Sequence, residues 1–255
     1  LHPRRSPDRP VEVASVPGSW RERAAFHALL PAIAWQGLRL RRTALRAPAA
    51  AGPAQGVVGR GLPLRLLGLG DSIIAGVGID VTENALPGRT AAALARHGDR
   101  EVHWRAAGAS GLRARQVAEL FAQQPADERA DMVLVSVGVN DVTGIGSTRR
   151  WHRELAQLLD AIHARHPGAL VMLAGLPPMD CFPLLPQPLR AAMGIRARTF
   201  DAIARELAAA RAWVLHHPTI IDSGRDAFAA DGFHPGREAC ARWGESLALT
   251  VLPRL

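Results

Sequence analysis

The feature that most constrains this chain is an alternation of short apolar runs with helical patterns, in which the apolar runs end in small or polar residues. Leu64-Arg65-Leu66-Leu67-Gly68-Leu69 runs into Gly70-Asp71-Ser72. Val102-His103-Trp104-Arg105-Ala106-Ala107 runs into Gly108-Ala109-Ser110-Gly111, and Met132 to Val137 into Gly138-Val139-Asn140-Asp141. Leu170 to Ala174 precedes Gly175-Leu176-Pro177-Pro178, and a weaker run lies at Trp213 to Leu215. Helical spacing intervenes near 89–97, over 112–123 and 148–165, and in a segment carrying Phe200, Ile203 and Leu207. A last helix is expected to start at Pro235, which suits a first helical position. Near-continuous apolar strands alternating with helices predict a five-stranded parallel sheet covered on both faces, an α/β sandwich.

The segment before the first run reads differently. Residues 1–63 are expected to form an N-terminal extension, with a Pro-rich lead-in over 1–19, a basic helix over 20–46 that Pro31 kinks or restarts, and a linker over 47–63. Residues 64–255 are expected to form one domain. The formal charge of +8 over 255 residues is carried by arginine and follows this division. Residues 1–65 hold eleven arginines against Asp8, Glu12 and Glu22, while twenty arginines and twenty acids balance in the rest. A basic face for nucleic acid on the folded body is therefore disfavoured. No apolar run of 18 residues is present to cross a membrane. The helix over 20–46, with Arg21, Arg23, Arg39, Arg41, Arg42, Arg46, Trp20, Trp35 and the Phe26–Ile33 stripe, suits either peripheral contact with an anionic membrane or packing on the body. A cytoplasmic or membrane-peripheral location is favoured, with export left open; oligomeric state is not readable.

Ends of parallel strands lie on one edge, where ligands bind, so Ser72, Gly111 and Asn140 are expected to converge there. Asp231-Gly232-Phe233-His234-Pro235 supplies a fourth piece, whose spacing lets the carboxylate turn back onto the imidazole. Together they point to acyl transfer. Ser72 would be the nucleophile and His234 its base, with Asp231 holding the tautomer. The N–H groups of Ser72 and Gly111 and the Asn140 amide would form the oxyanion hole. Ser72 is expected at a helix start, where the dipole would help. Glycine at 111 would leave the approaching carbonyl unobstructed. Asp71 and Asp141 read as structural acids, Asp71 as a cap. Activity is expected to fall in acid, because only neutral imidazole accepts a proton.

With those residues in place, the chain resembles the SGNH hydrolases, or GDSL-type lipases and esterases, over about residues 64–250. The blocks that carry the likeness are Gly70-Asp71-Ser72-Ile73 (Ile for the usual Leu), Ser110-Gly111, Gly138-Val139-Asn140-Asp141 and Asp231-Gly232-Phe233-His234-Pro235. Ala106 stands where the family often has asparagine. The resemblance implies a flavodoxin-like three-layer α/β/α fold and hydrolysis of small esters, without metal or other cofactor, and it favours Gly111 over Gly108 as donor. The expected partner is a small-molecule ester of short to medium chain. Alternatives are an O-acetyl esterase of carbohydrate or cell-wall glycan, and a catalytically silent binding domain.

Val77, Ile145, Leu176, Pro177, Pro178, Met179 and Phe182 are expected to line the substrate pocket, with Leu184 and Leu185 on the same loop. Competing readings are weak. Gly68-Leu69-Gly70 lacks the third glycine of a dinucleotide fingerprint, and no Gly-x-Ser-x-Gly elbow occurs. His216 and His217 would point to opposite faces of a strand. Trp151, Trp213 and Trp243 read as core, and whether Cys181 and Cys240 pair is left open.

Overall fold

The structure, a computed structural model, describes residues 20–43, 47–125, 128–219 and 224–255, with residues 20–28 and 41 given by backbone alone. The expectations for residues 1–19 and Arg46, and for the side chains of Trp20, Arg21, Arg23, Phe26 and Arg41, lie outside the described residues.

Six strands form one sheet: β1 (Gln55–Gly59), β2 (Leu62–Gly70), β3 (Arg100–Gly108), β4 (Met132–Ser136), β5 (Leu170–Ala174) and β6 (Val214–His217), in the order β1-β3-β2-β4-β5-β6. The last five in that order are parallel, as the apolar runs predicted. The sheet is nevertheless six-stranded and mixed, because β1 pairs antiparallel with β3. Residues 55–59, expected within a linker, are therefore an edge strand; Val57 stays exposed there, so its apolarity gave no buried-strand pattern.

Alternate strand residues face opposite layers. Leu67, Leu69, Val133, Val135, Val171 and Leu173 pack with α3 (Ala114–Ala122), α5 (Thr148–Arg165) and α6 (Leu189–Ala209). Leu64, Leu66, Met132, Leu134 and Met172 pack with α2 (Leu86–Gly98) and α7 (Arg237–Val251). Both faces are thus dry, which is what a parallel sheet requires. Trp151 and Trp243 are fully buried, and Trp213 packs at the margin of the core and stacks on His163.

The order β3-β2-β4-β5-β6 makes β2 the strand at which the chain's winding reverses, so a crevice opens at its C-terminal end. Close packing fixes that end. A Cβ at Gly70 would stand 2.0 Å from the Ser136 carbonyl oxygen, so only glycine lets β2 and β4 deliver their following loops side by side. Residues 72–78 then form turns, and the next α-helix, α2, starts at Leu86. This corrects the expectation of a helix dipole at Ser72. Gly76 and Gly78 take left-handed φ of 67° and 84°, which a continuous helix cannot include. The last helix is corrected too. The 234–236 stretch is held extended by Ala229 N–H to His234 C=O (2.8 Å) and Gly236 N–H to Ala227 C=O (2.8 Å), and α7 begins at Arg237.

Helix α1 (Trp20–Thr43) runs through Pro31 without a break. Leu29, Leu30, Pro31 and Ala32 are all exposed, so the ring meets no neighbouring element on the outer face of the helix. Ile33 and Leu40 pack on the body. The Gln36 amide donates to Gln187 C=O (2.6 Å) and accepts from Leu189 N–H (3.1 Å). Beyond α1, residues 48–51 run beside the loop that follows Ser72: Gly78 N–H donates to Pro48 C=O (2.9 Å) and Ala51 N–H to Asp80 C=O (3.0 Å). Among the described residues no helix is long and apolar enough to cross a membrane. Cys181 and Cys240 are both free thiols.

Two carboxyls are buried beneath the β2 and β4 ends. Asp71 accepts from Ile73 N–H (3.1 Å), and burial pushes its carboxyl up to about 7, with Asp141 adding to the rise and the Ile73 bond and His234 opposing it. Asp141 accepts from Ala114 N–H (3.2 Å), which ties the β4 loop to the start of α3. Burial pushes it to about 6, with Glu154 adding to the rise. Both folded values exceed the ordinary 3.8. The native state therefore holds protons that the unfolded chain has lost, and stability declines as pH rises from about 4 to 7. Asp71→Asn removes one such group. Its stability relative to wild type is expected to rise between about pH 4 and 7. The ceiling is ~4 kcal/mol, from a shift of 3.8 to about 7 at ~1.4 kcal/mol per pH unit. Denaturant melts of both proteins across that range measure it, and a gap that stays constant with pH would refute it.

Candidate active site

The loop 231–236 is built around one carboxylate. Asp231 Oδ1 accepts from the N–H groups of Phe233 (2.9 Å) and His234 (3.0 Å), while Oδ2 lies 2.6 Å from His234 Nδ1. Burial works against the Asp231 charge, but the His234 ring and those two N–H groups outweigh it and hold the carboxyl below its usual range. A carboxylate so fixed dictates the tautomer: Nδ1 keeps its hydrogen and Nε2 presents a lone pair. His234 Nε2 stands 3.0 Å from Ser72 Oγ, across 162 positions of sequence. Ser72 is buried, and the His234 side chain is only 15% exposed, so this contact is largely shielded from bulk water.

Asn140 stands in the first turn of α4 (Val139–Thr143). Its side-chain amide donates to Leu112 C=O (3.0 Å) and, at 3.5 Å, to Asp71 Oδ2. Asn140 thereby joins the loops that follow β2, β3 and β4. Gly111 lies one residue before Leu112, and an added Cβ would meet nothing within 4 Å. Its need for glycine comes instead from a left-handed φ of 84°. Ala109 N–H bonds to Gly70 C=O (3.3 Å), which supports the same loop beside Ala106. The structure thus brings Ser72, His234 and Asp231 into one hydrogen-bonded line and sets Asn140 and the 110–112 loop around it.

A cleft of about 900 Å³ opens beside Asp231 and His234. Val77 and Ile145, expected in the pocket, line it, as do Leu184 and Leu185. Pro177 and Phe182 instead line a small crevice together with Ser72, Phe233 and His234. Leu176 and Met179 are buried in the core and Pro178 lines neither space, so these three are corrected as pocket residues. An irregular loop gives no periodicity to tell inside from outside, and here the apolar side chains turn inward. Leu189 and Met193 of α6, Phe233, and Ile33, Gly37 and Leu38 of α1 also line the cleft. Phe233 was signalled by its place between Asp231 and His234; the helices' share becomes visible only once they are docked.

The remaining polar clusters are structural. His216 Nε2 bonds Asp201 on one side of the sheet (2.9 Å) and His217 Nε2 bonds Ser246 on the other (2.9 Å). Among the described residues no three His, Cys, Asp or Glu side chains are grouped to hold a metal ion.

The profile of the GDSL-like Lipase/Acylhydrolase family matches residues 69–242. Comparison with the curated proteins gives no match. Solved structures with a similar fold include TesA, 24% identical with a TM-score of 0.59, over 75% of this chain and 99% of that one. The lipase/acylhydrolase from Enterococcus faecalis is 20% identical, with a TM-score of 0.59, over 75% and 97%. A family two carbohydrate esterase from Clostridium thermocellum, in complex with cellohexaose, is 13% identical, with a TM-score of 0.57, over 75% and 64%. At these identities the likeness is one of fold. The family match spans most of the chain and contains all four motif blocks, and on that ground this protein is a member of the GDSL-like lipase/acylhydrolase family.

Proposed function

We propose that this protein is a serine hydrolase that cleaves carboxylic esters of short to medium chain through a Ser72 acyl-enzyme. The observation that carries the reading is the His234 ring, with one nitrogen 2.6 Å from the Asp231 carboxylate and the other 3.0 Å from the Ser72 hydroxyl.

Ser72 Oγ attacks the ester carbonyl carbon as its proton passes to His234 Nε2. The imidazolium that forms is stabilised by Asp231, which stays ionised. Negative charge develops on the carbonyl oxygen, facing the N–H groups of Ser72 and Gly111 and the Asn140 amide. Asn140 holds its amide through Leu112, and the hydrogen it extends at 3.5 Å toward Asp71 is the one an oxyanion would take. Collapse of the tetrahedral species expels the alcohol, which takes the proton from His234. Water, with His234 again as base, then releases the acid and restores Ser72. No step needs a metal or cofactor. The apolar cleft side chains favour a hydrocarbon arm on the ester over a glycan.

Ser72→Ala is expected to reduce hydrolysis of a p-nitrophenyl ester to background and to abolish covalent labelling by a fluorophosphonate; wild-type turnover in that variant would sink the assignment. Asn140→Ala should lower kcat by roughly 10²- to 10³-fold, as losing one oxyanion donor does elsewhere. The kcat/KM profile should fall on acidification, since a protonated imidazole cannot accept the serine proton. A profile that does not fall on acidification would contradict the role of His234.

A further inference from the structure

Helix α1 lies outside the region matched by the family, yet it forms part of the cleft. Ile33, Gly37 and Leu40, spaced along one face, and Leu38 beside them face Leu189 and Met193 of α6 across the cleft, which reaches Ser110, Asp231 and His234 at its inner end. The segment 33–40 spans ~10 Å along the helix axis at 1.5 Å per residue. An acetyl group attached at Ser72 would leave that length of apolar wall unfilled.

Two local features point to an occupant there. Gly37 sits inside a helix, where glycine is unfavourable by ~1 kcal/mol relative to alanine. A Cβ at Gly37 meets nothing within 4 Å, so its missing side chain leaves open space rather than relieving a clash. Opposite, Ile145 is a β-branched residue at φ 56°, a strained conformation, and is 75% exposed at the cleft. Strain that presents an apolar side chain to water is the kind retained at ligand sites.

We infer that α1 is the outer wall of an acyl-binding groove, making esters with an unbranched hydrocarbon arm of medium length the substrate class, with Gly37 leaving room for the arm. This rests on the hydrolase reading above. The occupant is the substrate's own chain because the cleft shares Phe233 and His234 with the small crevice that Ser72 lines, and is apolar along the wall leading away from them. Each methylene buried along the groove strengthens binding roughly fourfold, so blocking two or more positions is readily measured.

The test is the ratio of kcat/KM for p-nitrophenyl decanoate to that for p-nitrophenyl acetate in the full chain. Gly37→Phe, which fills the space and removes a helix-weakening glycine, is expected to lower the ratio at least tenfold. Trp35→Ala, on the exposed side of α1, should leave it unchanged. A Gly37→Phe ratio equal to wild type, with both esters hydrolysed, overturns the groove. Wild-type protein that hydrolyses neither ester and takes no fluorophosphonate at Ser72 overturns the hydrolase reading itself, and the groove with it.

Discussion

The arrangement at the sheet edge depends on how closely β2 and β4 approach at Gly70. Strands that merely paired would leave their loops wherever turn geometry sent them. Here the missing side chain at Gly70 lets the Asp71 N–H bond to Ser136 C=O at 3.1 Å, so the chain carrying Ser72 leaves β2 already tied to the neighbouring strand. The loop carrying Asn140 leaves β4 at that same Ser136, and Asn140 stands four residues on. Serine and asparagine are thereby set beside each other by backbone alone, before any contact between their side chains forms. The 110–112 loop follows from the same sheet, since β3 pairs with β2 through Gly70 and Gly108.

Once the loops are set, buried charge fixes the finer geometry. Asp71 spends a carboxylate oxygen on the Ile73 N–H of its own loop and Asp141 one on the Ala114 N–H at the start of α3, and both resist ionisation because burial outweighs those bonds. Asp231 makes the opposite compromise. It is also buried, but three donors converge on it and it stays ionised. Two kinds of acid thus coexist around the site: one kind holds loops and is destabilising when charged, the other is kept charged and faces an imidazole. The number of donors aimed at each carboxylate separates the two.

The parts of this arrangement legible in the sequence are those encoded locally. Strand ends show as apolar runs that stop at small residues, and the Asp231–His234 pairing is a three-residue turn, so both could be read without coordinates. The turn after Ser72 misled because Ile73 and Ile74 continue an apolar pattern while Gly76 and Gly78 break the helix that such a pattern suggests. The 176–182 loop misled because its apolar residues divide between core and crevice with no period to mark which is which. Strand β1 was hidden by its edge position: with Val57 exposed it need not look buried, and it pairs with residues almost fifty positions later. The role of α1 was hidden for a related reason. Its sequence shows an apolar stripe, but not which body the stripe meets.

That last point bears on why the extension sits where it does. Residues 48–51 bond along the 76–82 loop that follows Ser72, through Gly78, Ala51 and Thr82, and only then does β1 join the sheet edge. The nucleophile's loop and residues 48–51 are thus one hydrogen-bonded unit. A helix resting on apolar contacts alone could slide, and its apolar face would define no particular groove. Gln36 opposes that slide, because its side-chain amide donates to Gln187 C=O and accepts from Leu189 N–H. The α1 wall and the loop carrying Ser72 are in this way fixed by separate sets of hydrogen bonds, one to the start of α6 and one to residues 48–51.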